Sequence, residues 1–467
     1  MKKRKIQILV FSESHARQDV YIQRKPIQDR EVTKLKQVLS PFFEIENCKF
    51  EDIRNKRDGI QAAQDANISD CAAVILYIPI FISPAMVAHT AGQIKKPIAL
   101  VGNHAPDSFS QLGFLAAVGA VEQIGLSFKR IPYDGSSPEA VKELINWVLA
   151  ADCIQKLSGQ VYGNIGGRSL GISTGTADLA QWEKEFGIDI EHIDQLELVN
   201  RANNIPEKQI QLYIDYIHKH YGAIKMDTSK RFDTTHLRKM VASYLAMKQI
   251  LNDYELDFGG IKCQTELSNG YCLQCMTIQI LNDPYDAEGP KKPFACSCEA
   301  DADGALSMQI LQLLSGGEPT ALQDIYNVTE GEMVLANCGA MASYFAALSD
   351  NSEENLAQVH LVPHGFGTAG GAGTQFVTAP DEFTYMRLTR KAGKYQMIAF
   401  KGDTIYKERE ILQNYPTYRP TSFVHHNIEV TEFMKIFSCN HLHCVKGDYL
   451  AALEEFCRMK NITCIIL

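Results

Sequence analysis

Short, continuous apolar runs in the first third of the chain constrain its fold most strongly. Residues 6–11, 73–78 and 97–101 are apolar almost throughout and are followed by Ser, Pro and Gly, respectively. Strands that are apolar on both faces are typical of parallel sheets covered by helices on both sides. Ser137-Pro138 then supplies a cap and a first-turn proline for an amphipathic helix. This pattern predicts a doubly wound α/β domain, which binds ligands at the carboxyl ends of its strands.

The remainder of the chain predicts two further domains. At roughly 150 residues per domain, a chain of 467 residues fits three. We predict two Rossmann-like α/β domains, residues 1–157 and 158–315, followed by a β-rich domain, residues 316–467. In the last of these, short alternating segments and a turn at residues 391–394 favour an antiparallel, barrel-like sheet.

Composition and charge narrow the class of partner. A net charge of −9 argues against a nucleic-acid surface, and no apolar run reaches the ~20 residues that span a bilayer. The thirteen cysteines, without a secretion signal, indicate reduced thiols in the cytoplasm. Glycine-rich residues 163–171 lack both a phosphate-loop Lys-Ser/Thr and a dinucleotide fingerprint, so we interpret them as a tight turn and infer no nucleotide cofactor. A small-molecule partner is predicted.

An acidic turn between a strand and a buried helix is the clearest candidate site. Residues 293–304 read PFACSCEADADG and precede an apolar helical stretch. Asp301 and Asp303 have a structural interpretation, because carboxylates at a helix start cap it and complement its dipole. Glu299 lies on the strand side of the turn, where a side chain points towards a ligand crevice.

Two later positions are ordinary when taken alone. Asp324 is interpreted as a turn aspartate. His441 and His443 lie at i and i+2 of a predicted short strand, so they share a face that is either a metal edge or a half-buried surface.

Together, these segments resemble the L-fucose isomerase and L-arabinose isomerase superfamily, in particular its fucose isomerase-like branch. The resemblance rests on residues 298–306 (CEADADGAL), on Asp324, and on Asn440-His441 ahead of Gly447-Asp448. Further landmarks occur in the expected order: Gly102-Asn103, residues 166–171 and Gly260-Ile261-Lys262. The resemblance implies that Glu299, Asp324 and His441 bind a metal ion.

The implied chemistry is interconversion of an aldose and a ketose through a cis-enediol. Two carboxylates and an imidazole suit Mn²⁺ or a similar divalent cation. The metal would act as a Lewis acid, while Glu299 and Asp324 would be the catalytic acid and base.

The resemblance also implies a homo-oligomer, a trimer or hexamer, whose active site is shared between subunits. Candidate sugar-binding residues are His15, Arg17, Arg168, Lys262 and His443. An L-fucose-like or L-arabinose-like sugar is the default substrate. The alternative is a hexose charged at C6, such as sulfoquinovose, for which Arg17, Arg24, Lys25 or Arg168 would supply cations.

Three other interpretations stay open or are disfavoured by the sequence. Five cysteines lie in one segment: Cys263, Cys272, Cys275, Cys296 and Cys298. They could form a structural zinc site, but the simpler interpretation is a set of buried, reduced thiols. A non-catalytic sugar-binding protein would not need all three metal ligands. A dehydrogenase is disfavoured because residues 12–15 (SESH) stand where a glycine fingerprint would follow the first strand.

Overall fold

A computed structural model describes residues 3–132, 137–227, 231–416 and 418–467. The chain is a mixed α/β protein with parallel sheets and a strand-rich C-terminal region. It forms two compact units: Met1–Gln155 with Ala451–Phe456, and Lys156–Leu450 with Cys457–Leu467. The predicted three-domain division stays a prediction. Within the described ranges, no helix has both the length and the apolar character needed to cross a membrane.

The first unit is a parallel sheet with helical connections. Its strands are β1 Arg4–Val10, β2 Phe43–Glu46, β3 Ala73–Tyr77, β4 Ile98–Gly102 and β5 Lys129–Pro132. Its helices are α1 Gln18–Leu39, α2 Lys56–Ile68, α3 Pro84–Ala91, α4 Ser110–Gln123 and α5 Pro138–Leu157. The strand order is β2-β1-β3-β4-β5, and every pairing is parallel. Because β3 and β4 are buried at every residue, their continuous apolar sequences fit a sheet covered on both faces.

The second unit contains the remaining elements, which include, among the described residues, sixteen short or medium strands interleaved with helices. The strands up to the acidic turn are β6 Val161–Ile165, β7 Asp189–Ile193, β8 Ala223–Ile224, β9 Phe258–Ile261, β10 Tyr285–Asp286, β11 Gly289–Pro290 and β12 Cys296–Cys298. Those after it are β13 Thr320–Thr329, β14 Glu332–Ala336, β15 His360–Pro363, β16 Ala372–Gln375, β17 Glu382–Lys391, β18 Lys394–Thr404, β19 Thr421–His425, β20 His441–Lys446 and β21 Thr463–Ile466. The helices are α6 Leu179–Phe186, α7 Gln195–Asn203, α8 Glu207–His220, α9 Thr234–Asp253, α10 Glu266–Gly270, α11 Cys275–Asn282, α12 Ala302–Ser315, α13 Ser352–Ala357, α14 Val430–Ile436 and α15 Leu450–Lys460, which also passes through the first unit.

Two sheets of this unit matter for the site. A four-stranded parallel sheet has the order β12-β9-β6-β7, and a larger sheet has the order β17-β20-β13-β14-β19-β18-β21. In the larger sheet every pairing is antiparallel except that of β18 with β21, and β17 also pairs with β18 through the predicted turn at residues 391–394. The antiparallel expectation is confirmed, whereas the barrel-like closure stays a prediction.

Helix α12 packs between these two sheets. It contacts β9 and β12 on one side and β13, β17 and β20 on the other. All of its residues except Leu313 are buried, which is typical of a helix that is apolar around most of its circumference. Asp301 caps its start by accepting a hydrogen bond from the Gly304 amide, and Gly316 ends it at φ 86°. The helix start is therefore fixed at the place where the two sheets meet.

Candidate functional site

The three predicted ligands meet where β12, β13 and β20 come together. Glu299 directly follows β12 at φ 60°, and Asp324 in β13 pairs directly with His441 in β20. The Nε2 atom of His441 lies 3.4 Å from Oε2 of Glu299 and 3.6 Å from Oδ1 of Asp324. The interpretation of Asp324 as a turn residue is wrong. It lies inside a ten-residue strand, beside a register shift between Ile325 and Asn327.

A buried carboxylate fixes the orientation of the His441 ring. Nδ1 of His441 lies 2.7 Å from Oδ2 of Asp301, and since an ionised carboxylate only accepts, Nδ1 carries the proton. Arg387, whose side chain is fully buried, donates to both oxygens of Asp301 at 2.5 and 3.1 Å. Burial alone would raise the pKa of Asp301, but Arg387 and His441 hold it well below its ordinary value. Asp301 is therefore an ionised orienting group behind the imidazole.

The other ring nitrogen of His441, Nε2, faces two carboxylate oxygens, which are hydrogen-bond acceptors. With Nδ1 protonated, Nε2 of a neutral His441 would present a lone pair to the oxygens of Glu299 and Asp324. Burial disfavours a charged ring, yet contacts with Asp301 and Glu299 outweigh it and raise the pKa of His441 well above its ordinary value. The arrangement thus favours a positive charge beside Nε2, either a proton on the ring or a cation.

Asp303 occupies a different environment from Asp301, although both lie at the start of α12. It accepts hydrogen bonds from the Tyr395 hydroxyl at 2.9 Å and from Nε of Arg390 at 3.1 Å. Burial raises its pKa to about 7. It makes none of the contacts to His441 that Asp301 makes, and its side chain instead joins Arg390 and Tyr395.

A cavity of about 390 Å³ opens in front of Glu299 and Asp324. Its wall also contains Arg419, whose guanidinium lies 3.5 Å from Oδ2 of Asp324 and packs near the rings of Tyr326 and Phe366. Burial raises the pKa of Asp324. Asn440 donates to Oδ1 of the same carboxylate at 3.1 Å. The remaining wall residues are Leu170, Gln264, Ile325 and Cys338.

The predicted sugar-binding residues are scattered rather than gathered at this cavity. His15 and Arg17 form an exposed 3₁₀ turn in the first unit, where Arg17 pairs with Glu13 at 3.3 Å. In the second unit, Arg168 is exposed and Lys262 pairs with Glu266 at 2.8 Å.

His443 is fully buried, and burial together with Arg387 lowers the pKa of its ring well below the ordinary value. It shares the β20 face with His441, but it is not part of the cavity wall. Its role in sugar binding, like that of His15, Arg17, Arg168 and Lys262, stays a prediction.

The cysteines predicted to offer a zinc site do not gather as a ligand set. Throughout the described ranges, no three His, Cys, Asp or Glu side chains stand ready to hold a metal ion. Cys272 contacts Ser243, while Cys298 lies 3.0 Å from a thiol that the sequence pattern did not include, that of Cys338. Hydrogen bonds from Cys275 and Cys298 lower the pKa of the Cys338 thiol well below its ordinary value.

Sequence reasoning missed Arg387, Arg419 and the second role of Asp301. Arg387 and Arg419 are 86 and 95 residues from the carboxylates that they contact, so no local pattern connects them. One signal was available for Arg387: an arginine at a central position of a strand with mostly buried neighbours needs a buried anion.

Comparison with known proteins finds similarity to sugar isomerases. Residues 335–467 match the family model described as L-fucose isomerase, C-terminal domain. A sulfoquinovose isomerase of Alkalicoccus urumqiensis is 24% identical over 257 residues, which are 54% of this chain and 53% of that protein. A sulfoquinovose isomerase of Priestia aryabhattai is 22% identical and covers 69% of this chain and 67% of its own length. An L-fucose isomerase of Klebsiella pneumoniae is 22% identical over 39% of this chain and 35% of its own length.

The relatives that match are named as sugar isomerases, at low identity and over part of their length. The chain spans about half the length of the first of these relatives, at 53%. Among solved structures, a solute-binding protein of an ABC transporter from Burkholderia multivorans is 12% identical and covers 56% of this chain and 80% of its own. Its TM-score of 0.17 is too low to indicate a shared fold. The family model and these relatives support the fucose isomerase-like superfamily that the sequence motifs indicated.

Proposed function

We propose that this protein is a divalent-metal-dependent aldose–ketose isomerase that acts on a monosaccharide. The observation that carries the proposal is Nε2 of His441, which faces the oxygens of Glu299 and Asp324 at 3.4 and 3.6 Å beside an open cavity. A cation at this point would remove the repulsion between the ring lone pair and the two carboxylates. The superfamily match supports the same chemistry.

The donor types of Glu299, Asp324 and His441 suit a divalent cation, but among the described residues these three side chains do not yet stand as a complete ligand set. Two ligands at ~2.1 Å from one ion are roughly 3.0 Å apart at a right angle and roughly 3.4 Å apart at a tetrahedral angle. The two distances at His441 are close to this range, so small rotations of Glu299 and Asp324 would complete the ligand set. Oxygen-rich donors with one imidazole suit Mn²⁺. When bound, the ion would polarise the oxygens on C1 and C2 of an open-chain sugar.

The side chains of the cavity would move the protons. Oε2 of Glu299 and Oδ1 of Asp324 flank the same point, so one can remove the C2 proton while the other supplies a hydroxyl proton, giving a cis-enediol. Transfer of a proton to C1, with loss of the proton from the C2 hydroxyl to the other carboxylate, completes the conversion to the ketose. The Arg419 guanidinium, fixed beside Asp324, would attract the sugar oxygen that gains negative charge.

The sugar is proposed at the level of its class. An L-fucose-like or L-arabinose-like aldose is the first candidate, and a C6-charged hexose is the second. The second is favoured by the two relatives named sulfoquinovose isomerase. The proposal includes a cytoplasmic homo-oligomer, a trimer or hexamer, in which His15 and Arg17 of a neighbouring subunit reach the sugar.

A direct assay tests the proposal. Protein loaded with Mn²⁺ is incubated with L-fucose, L-arabinose, 6-deoxyglucose and sulfoquinovose, and the ketose product is measured. Glu299→Gln should lower kcat by about 10²–10⁴-fold, because it removes a proton-transfer group and a metal ligand. Glu382→Gln, which changes a carboxylate paired with Lys401 outside the cavity wall, is the matched control. Absence of ketose from every sugar, or full activity of Glu299→Gln, would refute the proposal.

A further inference from the structure

Two cysteine thiols in the second unit lie unusually close together. The sulfurs of Cys298 and Cys338 are 3.0 Å apart. The sulfurs of a disulfide are roughly 2.05 Å apart, so these two have to approach by only about 1 Å to form a bond. Cys298 ends β12, and Cys338 follows β14, so the pair joins two elements that are separate in the sequence.

The backbone holds both thiols in place. Asn337 donates to the Leu322 carbonyl at 2.7 Å and accepts from the Gly339 amide at 3.0 Å, which fixes the turn that contains Cys338. The carbonyl of Cys338 is also 2.6 Å from Nε2 of His364. Cys298 pairs with Ile261 in the parallel sheet. The short sulfur separation is therefore built into the fold at both ends.

The two cysteine residues differ in their exposure. Cys338 is half-buried and forms part of the wall of the cavity that contains Glu299 and Asp324. Cys298 is 5% exposed and is not part of that wall. A small, neutral oxidant that enters the cavity meets Cys338 first and finds Cys298 within bonding reach of the oxidised sulfur.

We propose that Cys338 and Cys298 form a peroxide-sensitive thiol pair in the cavity wall, with Cys338 the residue oxidised first and Cys298 the residue that closes the disulfide. In the first step, the Cys338 sulfur attacks hydrogen peroxide: an S–O bond forms, the O–O bond breaks and water leaves once protons are exchanged, giving a sulfenic acid. In the second, the Cys298 sulfur attacks that sulfur, the S–S bond forms and a second water leaves. The two thiols lose two electrons to one peroxide, and a dithiol reverses the reaction.

The bond would act on the candidate site through Glu299, the residue after Cys298. Glu299 and Ala300 both have positive φ, at 60° and 50°, so the turn that carries the carboxylate already has an uncommon conformation. A covalent link at Cys298 draws the start of this turn towards β14. Oxidation is therefore expected to weaken binding of a cation at Glu299.

Peptide mapping tests the pair without reference to any activity. The full-length protein is treated with hydrogen peroxide under native conditions, its remaining thiols are alkylated, and the digest is analysed by mass spectrometry. The expected result is a cross-linked peptide pair that contains Cys298 and Cys338, and its loss after dithiothreitol. Recovery of both residues as alkylated thiols would overturn the proposal, as would a link from Cys338 to Cys275, whose thiol lies 3.4 Å from the Cys338 carbonyl.

Two variants separate the steps. Cys298→Ser should leave Cys338 as a sulfenic acid that dimedone traps, whereas Cys272→Ser, which changes a fully buried thiol beside Ser243, should form the normal cross-link. Failure of the Cys272→Ser control to cross-link while folded would also count against the pair. Mn²⁺ affinity before and after oxidation is a separate readout. A cross-link in a protein that never binds Mn²⁺ establishes the thiol pair and refutes the proposed metal site instead.

Discussion

Replacing Asp301 by asparagine tests whether this carboxylate orients the imidazole of His441. Asparagine has nearly the same shape, and its carbonyl oxygen can still accept the Gly304 amide and so cap α12. What it removes is the negative charge between Arg387 and His441. Its amide group would also bring a donor towards one of two groups that now donate to Asp301.

Burial of the ion pair indicates the expected loss of stability, and the hydrogen bond to His441 indicates the expected loss of metal affinity. The Asp301 and Arg387 side chains are 1% and 0% exposed, and breaking a buried pair of this kind costs about 3–5 kcal/mol. Loss of the group that orients a metal-bound histidine typically lowers metal affinity by about 10–100-fold. Asp301→Asn should therefore lower both the free energy of unfolding and the affinity for Mn²⁺.

The assay pairs two measurements with a neighbouring control. The free energy of unfolding is measured by urea denaturation without metal, so that ion binding does not contribute, and Mn²⁺ affinity is measured by calorimetric titration. Asp303→Asn is the control, since Asp303 is as buried as Asp301 but contacts Tyr395 and Arg390 instead of His441. It should leave Mn²⁺ affinity unchanged.

One result would refute the reasoning. If Asp301→Asn is folded and binds Mn²⁺ as tightly as Asp303→Asn does, then the Asp301–His441 hydrogen bond does not orient a metal ligand. A loss of stability alone would assign Asp301 to the Arg387 ion pair and to the helix cap only.

Three further predictions rest on the same region. Gly304→Ala should cost about 1–3 kcal/mol of stability and weaken Mn²⁺ binding, because a Cβ there would lie 2.5 Å from Oδ2 of Asp301 and 2.7 Å from Nε2 of His443. The control is Gly119→Ala in α4, where a Cβ meets nothing within 4 Å. It should be neutral or stabilising in the same urea assay. Burial raises the pKa of Asp303 from 3.8 to about 7, so the folded state retains a proton that the unfolded state releases. This contribution to stability is present below pH 3.8 and is lost as the pH rises through 7. The stability difference between wild type and Asp303→Asn should therefore shift against wild type across that range, and a constant difference would contradict the prediction. Arg419→Met should lower kcat by about 10²-fold with a smaller change in KM, with Arg419→Lys retaining part of the rate; a change in KM alone would make Arg419 a ground-state binding residue.

The part of this fold that is local in sequence could be predicted, and the part that depends on distant contacts could not. The strand β12, the acidic turn and the cap of α12 lie within one short segment, so apolar runs and capping preferences were sufficient. Asp324 was misjudged because a carboxylate inside a strand looks like a turn residue until its cross-strand neighbour His441 is known. Cys338 was left out of the cysteine cluster because its closeness to Cys298 depends on where β14 ends relative to β12.

Three carboxylates within five residues, Glu299, Asp301 and Asp303, show how environment divides roles between chemically similar groups. Glu299 faces the cavity with 15% of its side chain exposed, so it is accessible to a ligand. Asp301 is buried but remains ionised because Arg387 and His441 surround it, and it can therefore orient the ring without exchanging protons. Asp303 is buried beside a partly exposed Arg390 and has a pKa raised to about 7, so it acts as a packing and hydrogen-bonding group. Because the acidic turn and α12 fix all three relative to β20, their differences in burial and partners support the roles proposed here: proton transfer for Glu299, orientation of His441 for Asp301 and packing for Asp303.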